Sequence, residues 1–339
     1  MKPEYAKVDI PSGEGYLSIR ETMRKRTLHT VCEEARCPNI AECWGSGTAT
    51  FMILGSNCSR GCRFCSVTHG KMQPVDPDEP EKVAEATRNM GLNYVVITSV
   101  DRDDLPDQGS GHFARVIKAL KMEKILVEVL IPDFQGRIDL IQKIVDEEPE
   151  VIAHNVETVR RLTPVIRDHR AGYDQSLSLL RYVKQARPSQ ITKSSIMLGH
   201  GETDEEVLST MNDLRDAGVD VLTVGQYLRP SKMQIEVFEY CTSERFKKFE
   251  TMGYELGFST GSDIAHPLFS HRNTRGRLNT AAMFMAAWKS GVDVDPSPNV
   301  AITTAPVFLY FCAYAAPTAR GRFAATGLCT DMKFRFLSL

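Results

Sequence analysis

Long apolar runs are missing from this chain. The longest candidate, residues 305–316, contains Pro306 and falls short of the roughly 20 residues that cross a bilayer. No membrane association is therefore expected. An excess of charge is missing too: 41 Lys and Arg stand against 43 Asp and Glu, for a net charge of -2. That balance leaves no electrostatic footprint for nucleic acid. Basic runs such as Arg24-Lys25-Arg26 read as solvated surface. Nothing here resembles an export leader, with Met1 running directly into Lys2, Pro3 and Glu4, so none is expected. A cytoplasmic, reducing environment is the expectation.

Cysteine is what the chain has in quantity, and it is clustered. Six of the nine cysteines form two triplets, Cys32, Cys37, Cys43 and Cys58, Cys62, Cys65. Tight clusters without an export signal read as metal ligands rather than a disulfide framework. A closed structural zinc site normally takes four protein ligands. Three thiolates on a cubane iron–sulfur cluster leave one iron open to another ligand. A zinc or purely structural site is the competing reading for each triplet, and the first could be a zinc knuckle short of one ligand. Cys241, Cys312 and Cys329 are scattered and read as ordinary thiols.

From residue 51 the pattern alternates. Short apolar runs at 51–54, 94–98, 125–131, 151–155, 191–198 and 219–224 predict strands. Helical periodicity falls between them at 82–90, 112–121, 137–146, 176–185 and 204–217, after a short helix at 18–26. Gly91 and Gly218 sit where helices should end in a left-handed cap. Thr203 followed by Glu206 forms a capping-box signature. Six strand–helix repeats predict an α/β fold with a parallel sheet and right-handed crossovers. Function gathers at the carboxyl ends of such strands. A closed eightfold barrel would need two more units, so a partial (β/α)6 TIM-like barrel is expected.

The run Cys58-Ser59-Arg60-Gly61-Cys62-Arg63-Phe64-Cys65 follows the first predicted strand with the spacing Cys-x3-Cys-x2-Cys. It resembles the cluster motif of radical S-adenosylmethionine (SAM) enzymes. The preceding Cys-x4-Cys-x5-Cys, ending in Cys43-Trp44, resembles the auxiliary-cluster motif of the lipoyl synthase family. The resemblance extends from about residue 2 to 258. It takes in the stretches from Thr98 to Leu105, Val127 to Phe134, His154 to Thr158 and Gly225 to Ser231. It implies two [4Fe-4S] clusters and SAM as cofactors. The cluster on Cys58, Cys62 and Cys65 would bind SAM on its fourth iron and cleave it to a 5′-deoxyadenosyl radical. The cluster on Cys32, Cys37 and Cys43 would be the sulfur source. The implied reaction inserts two sulfur atoms at C6 and C8 of a protein-bound octanoyl group.

The resemblance further implies octanoylated lipoyl carrier domains (dehydrogenase E2 subunits and the glycine cleavage H protein) as partners, with ferredoxin or flavodoxin as reductant. Asn155, Glu157, Arg170 and Glu202 are its candidate SAM contacts, and Arg229 a candidate for a carboxylate of SAM or the carrier. Ser195 stands where glycine is usual, and His200 where an apolar residue is usual.

After Phe258 the pattern changes. The family's Arg-Ser-Ser-Tyr motif, whose serine completes the auxiliary cluster, does not follow; Ser270 is the nearest candidate for that ligand. Glutamate disappears after Glu255 while alanine becomes frequent. The expected organisation is an N-terminal extension (1–50), a radical SAM partial barrel (51–258) and a divergent segment (259–339) that is frame-shifted or disordered. Loss of the motif makes a catalytically impaired homologue the alternative to an active synthase. Resequencing the encoding DNA across codons 258–272 should expose a shifted frame. An intact, confirmed frame there would mean genuine divergence.

Overall fold

The computed structural model describes residues 14–26, 28–34, 37, 40, 50–92, 94–258 and 283–285. The chain divides into the units Met1–Val300 and Ala301–Leu339, and every described residue belongs to the first. Its strands are β1 (His29–Thr30), β2 (Thr50–Ile53), β3 (Asn57–Cys58), β4 (Thr68–His69), β5 (Tyr94–Ser99), β6 (Leu126–Leu130), β7 (Val151–Ala153), β8 (Ile191–Leu198), β9 (Val221–Gln226) and β10 (Met283–Met285).

One sheet runs in the order β1-β2-β5-β6-β7-β8-β9-β10. From β2 to β9 every pairing is parallel and follows chain order. Helices Glu79–Asn89, Ser110–Met122, Ile138–Asp146, Tyr173–Ala186 and Asp204–Asp216 provide the crossovers, and Ser243–Glu255 follows β9. The two outer strands, β1 on β2 and β10 on β9, pair antiparallel. β2 and β9 therefore do not meet, and the expected (β/α)6 partial barrel is the fold that forms.

Local chemistry explains the boundaries. Gly91 and Gly218 adopt φ of +67° and +82°, as their places at helix ends require. Val219 donates to the Leu214 carbonyl, which draws it into the helix end; the sixth inner strand accordingly starts at Val221 rather than 219. The helix expected at 82–90 begins earlier, at Glu79, because Pro80 fits the first turn where no N–H is needed. The Thr203 capping box forms in full. Helix Ser243–Glu255 escaped the sequence reading: its cap, Thr242, accepts from Arg245 N–H, but no glutamate completes a capping box there.

Apolar side chains fill the space between sheet and helices. Phe51, Ile97, Phe113, Leu120, Phe134 and Ile144 are buried to within about 1%. Each such side chain contributes about 1.5–3 kcal/mol relative to exposure. The buried interior also holds an ion pair, Lys193 Nζ to Glu128 Oε1 at 2.7 Å, and the Tyr94 hydroxyl donates to the same carboxylate. Pairing is what makes these charges tolerable away from water.

One close approach ties β2 to the helices. Gly109 precedes helix Ser110–Met122 at φ +84°, and a Cβ there would lie 2.3 Å from Leu54 Cδ1. Gly109→Ala should therefore destabilise the protein by about 2–4 kcal/mol, from left-handed backbone cost plus overpacking. Denaturant unfolding checks this; an unchanged midpoint would contradict the packing argument.

Candidate radical and cluster site

The site is built at the carboxyl ends of the parallel strands. β2 ends at Ile53, and the chain turns through Leu54 (φ +68°) and Gly55 (φ +92°) into the cysteine loop. Two backbone ties and a buried carboxylate fix that turn. Leu54 N–H donates to Glu79 at 2.9 Å, His112 Nε2 lies 2.6 Å from the same carboxylate oxygen, and Arg102 Nη1 donates to the Leu54 carbonyl. β3 and β4 then pair Cys58 with His69 and bracket the loop between them.

Arg60, between the first two cysteines, anchors the loop. Its side chain is only 3% exposed and forms two bidentate pairs. Nε and Nη2 reach Asp103 at 2.9 and 2.8 Å; Nη1 and Nη2 reach Asp133 at 2.8 Å each. Those carboxylates follow β5 and β6, so one guanidinium bolts the loop across two strand ends. On the other side Asp168 accepts from Gly61 N–H at 2.8 Å and pairs with Arg170 at 2.8 Å. Arg170 also donates to the Ser59 carbonyl and lies 3.2 Å from Asp103.

The held loop presents Cys58, Cys62 and Cys65 to one cavity of about 270 Å³. Backbone N–H groups point at the sulfurs: those of Asp101 and Arg60 at Cys58 (3.3 and 3.4 Å), that of Asp168 at Cys62 (3.3 Å) and that of Val67 at Cys65. Burial pushes the thiols up, Cys58 and Cys62 to about 12 and Cys65 to about 11. Metal ligation must therefore drive three protons off. Convergent sulfurs that receive backbone hydrogen bonds fit an iron–sulfur cluster, whose potential such bonds tune. Asp101, beside Cys58 at 3.7 Å, is raised to about 6 by burial, with Asp133 and Asp103 adding to the rise and Arg60 opposing it.

The cavity continues inward past the triplet. Asn155, Glu157, Arg167, Ser195, Met197 and Tyr227 contribute to its lining. Glu157 takes a left-handed φ of +67° while its backbone bridges β8, accepting from Met197 N–H and donating to the Ser195 carbonyl. Burial raises its carboxyl, against Arg167 and Asn155. The Ser195 hydroxyl is buried without a hydrogen-bond partner among the described residues. His200 stacks on Tyr227 at 4.3 Å between ring centroids, and burial pushes it down to about 4, so it is neutral at pH 7.

The sequence candidates divide accordingly. Asn155 and Glu157 join the cysteine triplet in the cavity; Glu202, Arg170 and Arg229 do not line it. Glu202 accepts from Gly199 and His200 N–H at 2.6 and 2.9 Å and shapes the turn after β8. Arg229 is held by Glu236 and by the carbonyls of Gln234 and Lys232. Cys32 and Cys37 are buried, and Val31 beside them lines the cavity. The Ser66 hydroxyl donates to the Glu34 carbonyl, which ties this N-terminal segment to the cysteine loop. Cys43 and Ser270 lie outside the described residues. Arg167 escaped the sequence reading, because within Arg167-Asp168-His169-Arg170 nothing separates it from surface charge.

A family model described as the radical SAM superfamily matches residues 52–214. A second, described as the N-terminal domain of lipoyl synthase of the Radical_SAM family, matches residues 1–37. The chain is 68% identical over 253 residues to a lipoyl synthase of Picrophilus torridus, covering 75% of this chain and 88% of that protein. It is 58% identical to a lipoyl synthase of Halobacterium salinarum (76% and 85% covered). It is 54% identical to one of Thermus thermophilus (76% and 80% covered).

Replacing Arg60 removes the ion pair of Asp133 and leaves Asp103 only the 3.2 Å contact with Arg170. Arg60→Gln should cost about 3–5 kcal/mol and lower the iron retained at the triplet after anaerobic reconstitution. Normal stability with full iron would refute the anchoring role. The clamp also predicts acid sensitivity. Against burial, hydrogen bonds from Arg60, Gln135 and Ser59 hold the Asp103 carboxyl below the usual range, and Arg60 does the same for Asp133. Folded pKa values below the unfolded value of about 3.9 make this contribution complete above that pH and progressively lost below it. Denaturation midpoints of the metal-free protein at pH 6 and pH 3 should fall less in Asp103→Asn than in the wild type.

Proposed function

The chain belongs to the lipoyl synthases of the radical SAM superfamily, and from that premise we propose how its residues carry out sulfur insertion. The substrate is an octanoyl group on a lipoyl carrier protein, and the product carries sulfur at C6 and C8. Two [4Fe-4S] clusters and SAM, when bound, supply the hydrogen-abstracting radical and the sulfur. The observation that carries this reading is the convergence of Cys58, Cys62 and Cys65 on a cavity that Val31, next to the first triplet, also lines.

Within that reading Cys58, Cys62 and Cys65 hold the radical-generating cluster, and Cys32, Cys37 and Cys43 hold the auxiliary one. Asn155 and Glu157 provide polar contacts for SAM, while Met197 and Tyr227 form an apolar wall that keeps water from the reacting centre. Arg60, Asp168 and Arg170 keep the loop geometry fixed, and Glu202 keeps the turn after β8. Residues 1–50 act as the auxiliary-cluster extension and 51–258 as the catalytic barrel. Among the described residues no helix is long and apolar enough to cross a membrane. The physiological setting is a reducing cytoplasm with ferredoxin or flavodoxin as electron donor. Dehydrogenase E2 subunits and the glycine cleavage H protein are the carriers.

Anaerobic reconstitution should give about eight irons and matching sulfide, as two cubanes require. Incubation with SAM, reductant and an octanoylated carrier should then yield lipoyl product. Cys58→Ala should lose about half of the iron and all deoxyadenosine formation. About four irons in the wild type, with deoxyadenosine but no lipoyl group, would contradict complete sulfur insertion by this chain and implicate segment 259–339.

A further inference from the structure

The octanoyl group reaches the cavity while still attached to a folded protein. Its eight-carbon chain enters on a lysine arm, and the body of the carrier stops at the rim. Exposure of the lining residues places that rim. His69, just past the cysteine loop, is exposed, and Leu228 and Pro230, just past β9, are half-buried. Gln234 Nε2 donates to the Cys65 carbonyl at 3.1 Å, and Ile235 N–H donates to the Arg63 carbonyl at 2.9 Å. The segment after β9 is thereby tied to the cysteine loop along this edge.

That segment turns one side to the cavity wall and the other to water. Ile235 and Val237 pack on Met197 and Tyr227, while Glu236 and Phe238, alternating with them, are exposed. Met233 is 89% exposed and Phe238 76%. Neither is exposed through slack in the chain. Arg229 donates to the Lys232 and Gln234 carbonyls, Ser231 Oγ accepts from Met233 N–H at 3.2 Å, and Phe238 N–H donates to the Gly199 carbonyl at 2.8 Å. A single exposed apolar residue is commonplace. A fixed segment that holds two of them in water, beside a site that admits a protein-borne substrate, marks an interface. The charge around them indicates the partner. Lys232 and Arg63 are exposed and form no ion pair among the described residues, whereas the Glu236 carboxylate is matched by Arg229 at 2.9 Å. The unmatched charge is positive and complements an acidic surface.

We propose that the segment from Arg229 to Phe238, together with Arg63, is the docking surface for the octanoylated carrier domain. Met233 and Phe238 meet an apolar patch on the carrier, and Lys232 and Arg63 meet acidic residues beside its modified lysine. The proposal rests on an octanoylated carrier being the substrate. Docking here governs how well the carrier is recognised, not how its chain reacts once it is in the cavity.

The test compares two substrates on the anaerobically reconstituted full chain: octanoylated glycine cleavage H protein, and a short peptide carrying one octanoyl-lysine. Lipoyl formation in a single turnover is followed against substrate concentration, with iron counted on every sample. The double variant Lys232→Glu/Met233→Glu should raise the half-saturating concentration of H protein at least about tenfold, as loss of central interface contacts does. Its half-saturating concentration and rate for the peptide should change less than about twofold. An unchanged response to H protein, or equal losses on both substrates, would overturn the assignment. If the double variant fails to hold iron, Met233→Gln, which removes only the exposed apolar group, decides by the same comparison: a loss confined to H protein supports docking, and none overturns it. Sedimentation of the same samples identifies the other occupant. A wild-type dimer that the double variant converts to monomer, with the H protein response unaltered, would assign the surface to a second copy of this chain and overturn the proposal. A wild-type protein that holds iron but forms no lipoyl group on either substrate would overturn the functional reading along with it.

Discussion

The paired guanidinium of Arg60 is the contact on which the site depends. A loop carrying three cysteines has little apolar surface of its own to bury, and it must stay open enough to admit a cluster. Hydrophobic packing cannot hold such a segment. Two bidentate, buried charge pairs can, because each fixes both distance and plane. By reaching Asp103 and Asp133 the arginine transfers the rigidity of β5 and β6 to a loop that belongs to β2. The desolvation of three charges is offset only while all three are present, which makes the loop rigid and also vulnerable.

The remainder of the site follows a division between holding and binding. Arg170, Asp168 and Glu202 satisfy one another or the backbone, and their carboxylates and guanidinium shape loops. Arg167, Glu157 and Ser195 line the cavity with polar groups less completely satisfied by protein. Unfinished hydrogen bonding inside an otherwise satisfied fold marks where a polar ligand completes the structure. The left-handed backbone of Glu157 and its raised carboxyl belong to the same pattern, with local cost carried by a residue that lines the cavity.

Much of this was legible in the chain. The fold followed from six alternations of apolar run and amphipathic segment, with Gly91, Gly218 and Thr203 marking ends by their own backbone chemistry. The cysteine spacing located the site, because the first strand had to end just before Cys58. Asn155 and Glu157 were candidates through the family resemblance, and both line the cavity. Charge partners were not legible. Whether Arg167, Arg170 or Arg229 faces the cavity depends on which carboxylates and carbonyls lie within reach, and those come from elements up to 111 residues apart, as for Arg170 and Ser59. Sequence shows an arginine; only the fold shows whether its charge is already matched.

The most direct test of this account is iron-edge anomalous diffraction from anaerobically grown crystals of the reconstituted protein. It should show a multi-iron peak in the cavity at Cys58, Cys62 and Cys65, with Arg60 still bridging Asp103 and Asp133, and a second peak at Cys32, Cys37 and Cys43. A single zinc atom at the triplet, or an iron cluster bound with Arg60 released from both carboxylates, would contradict it.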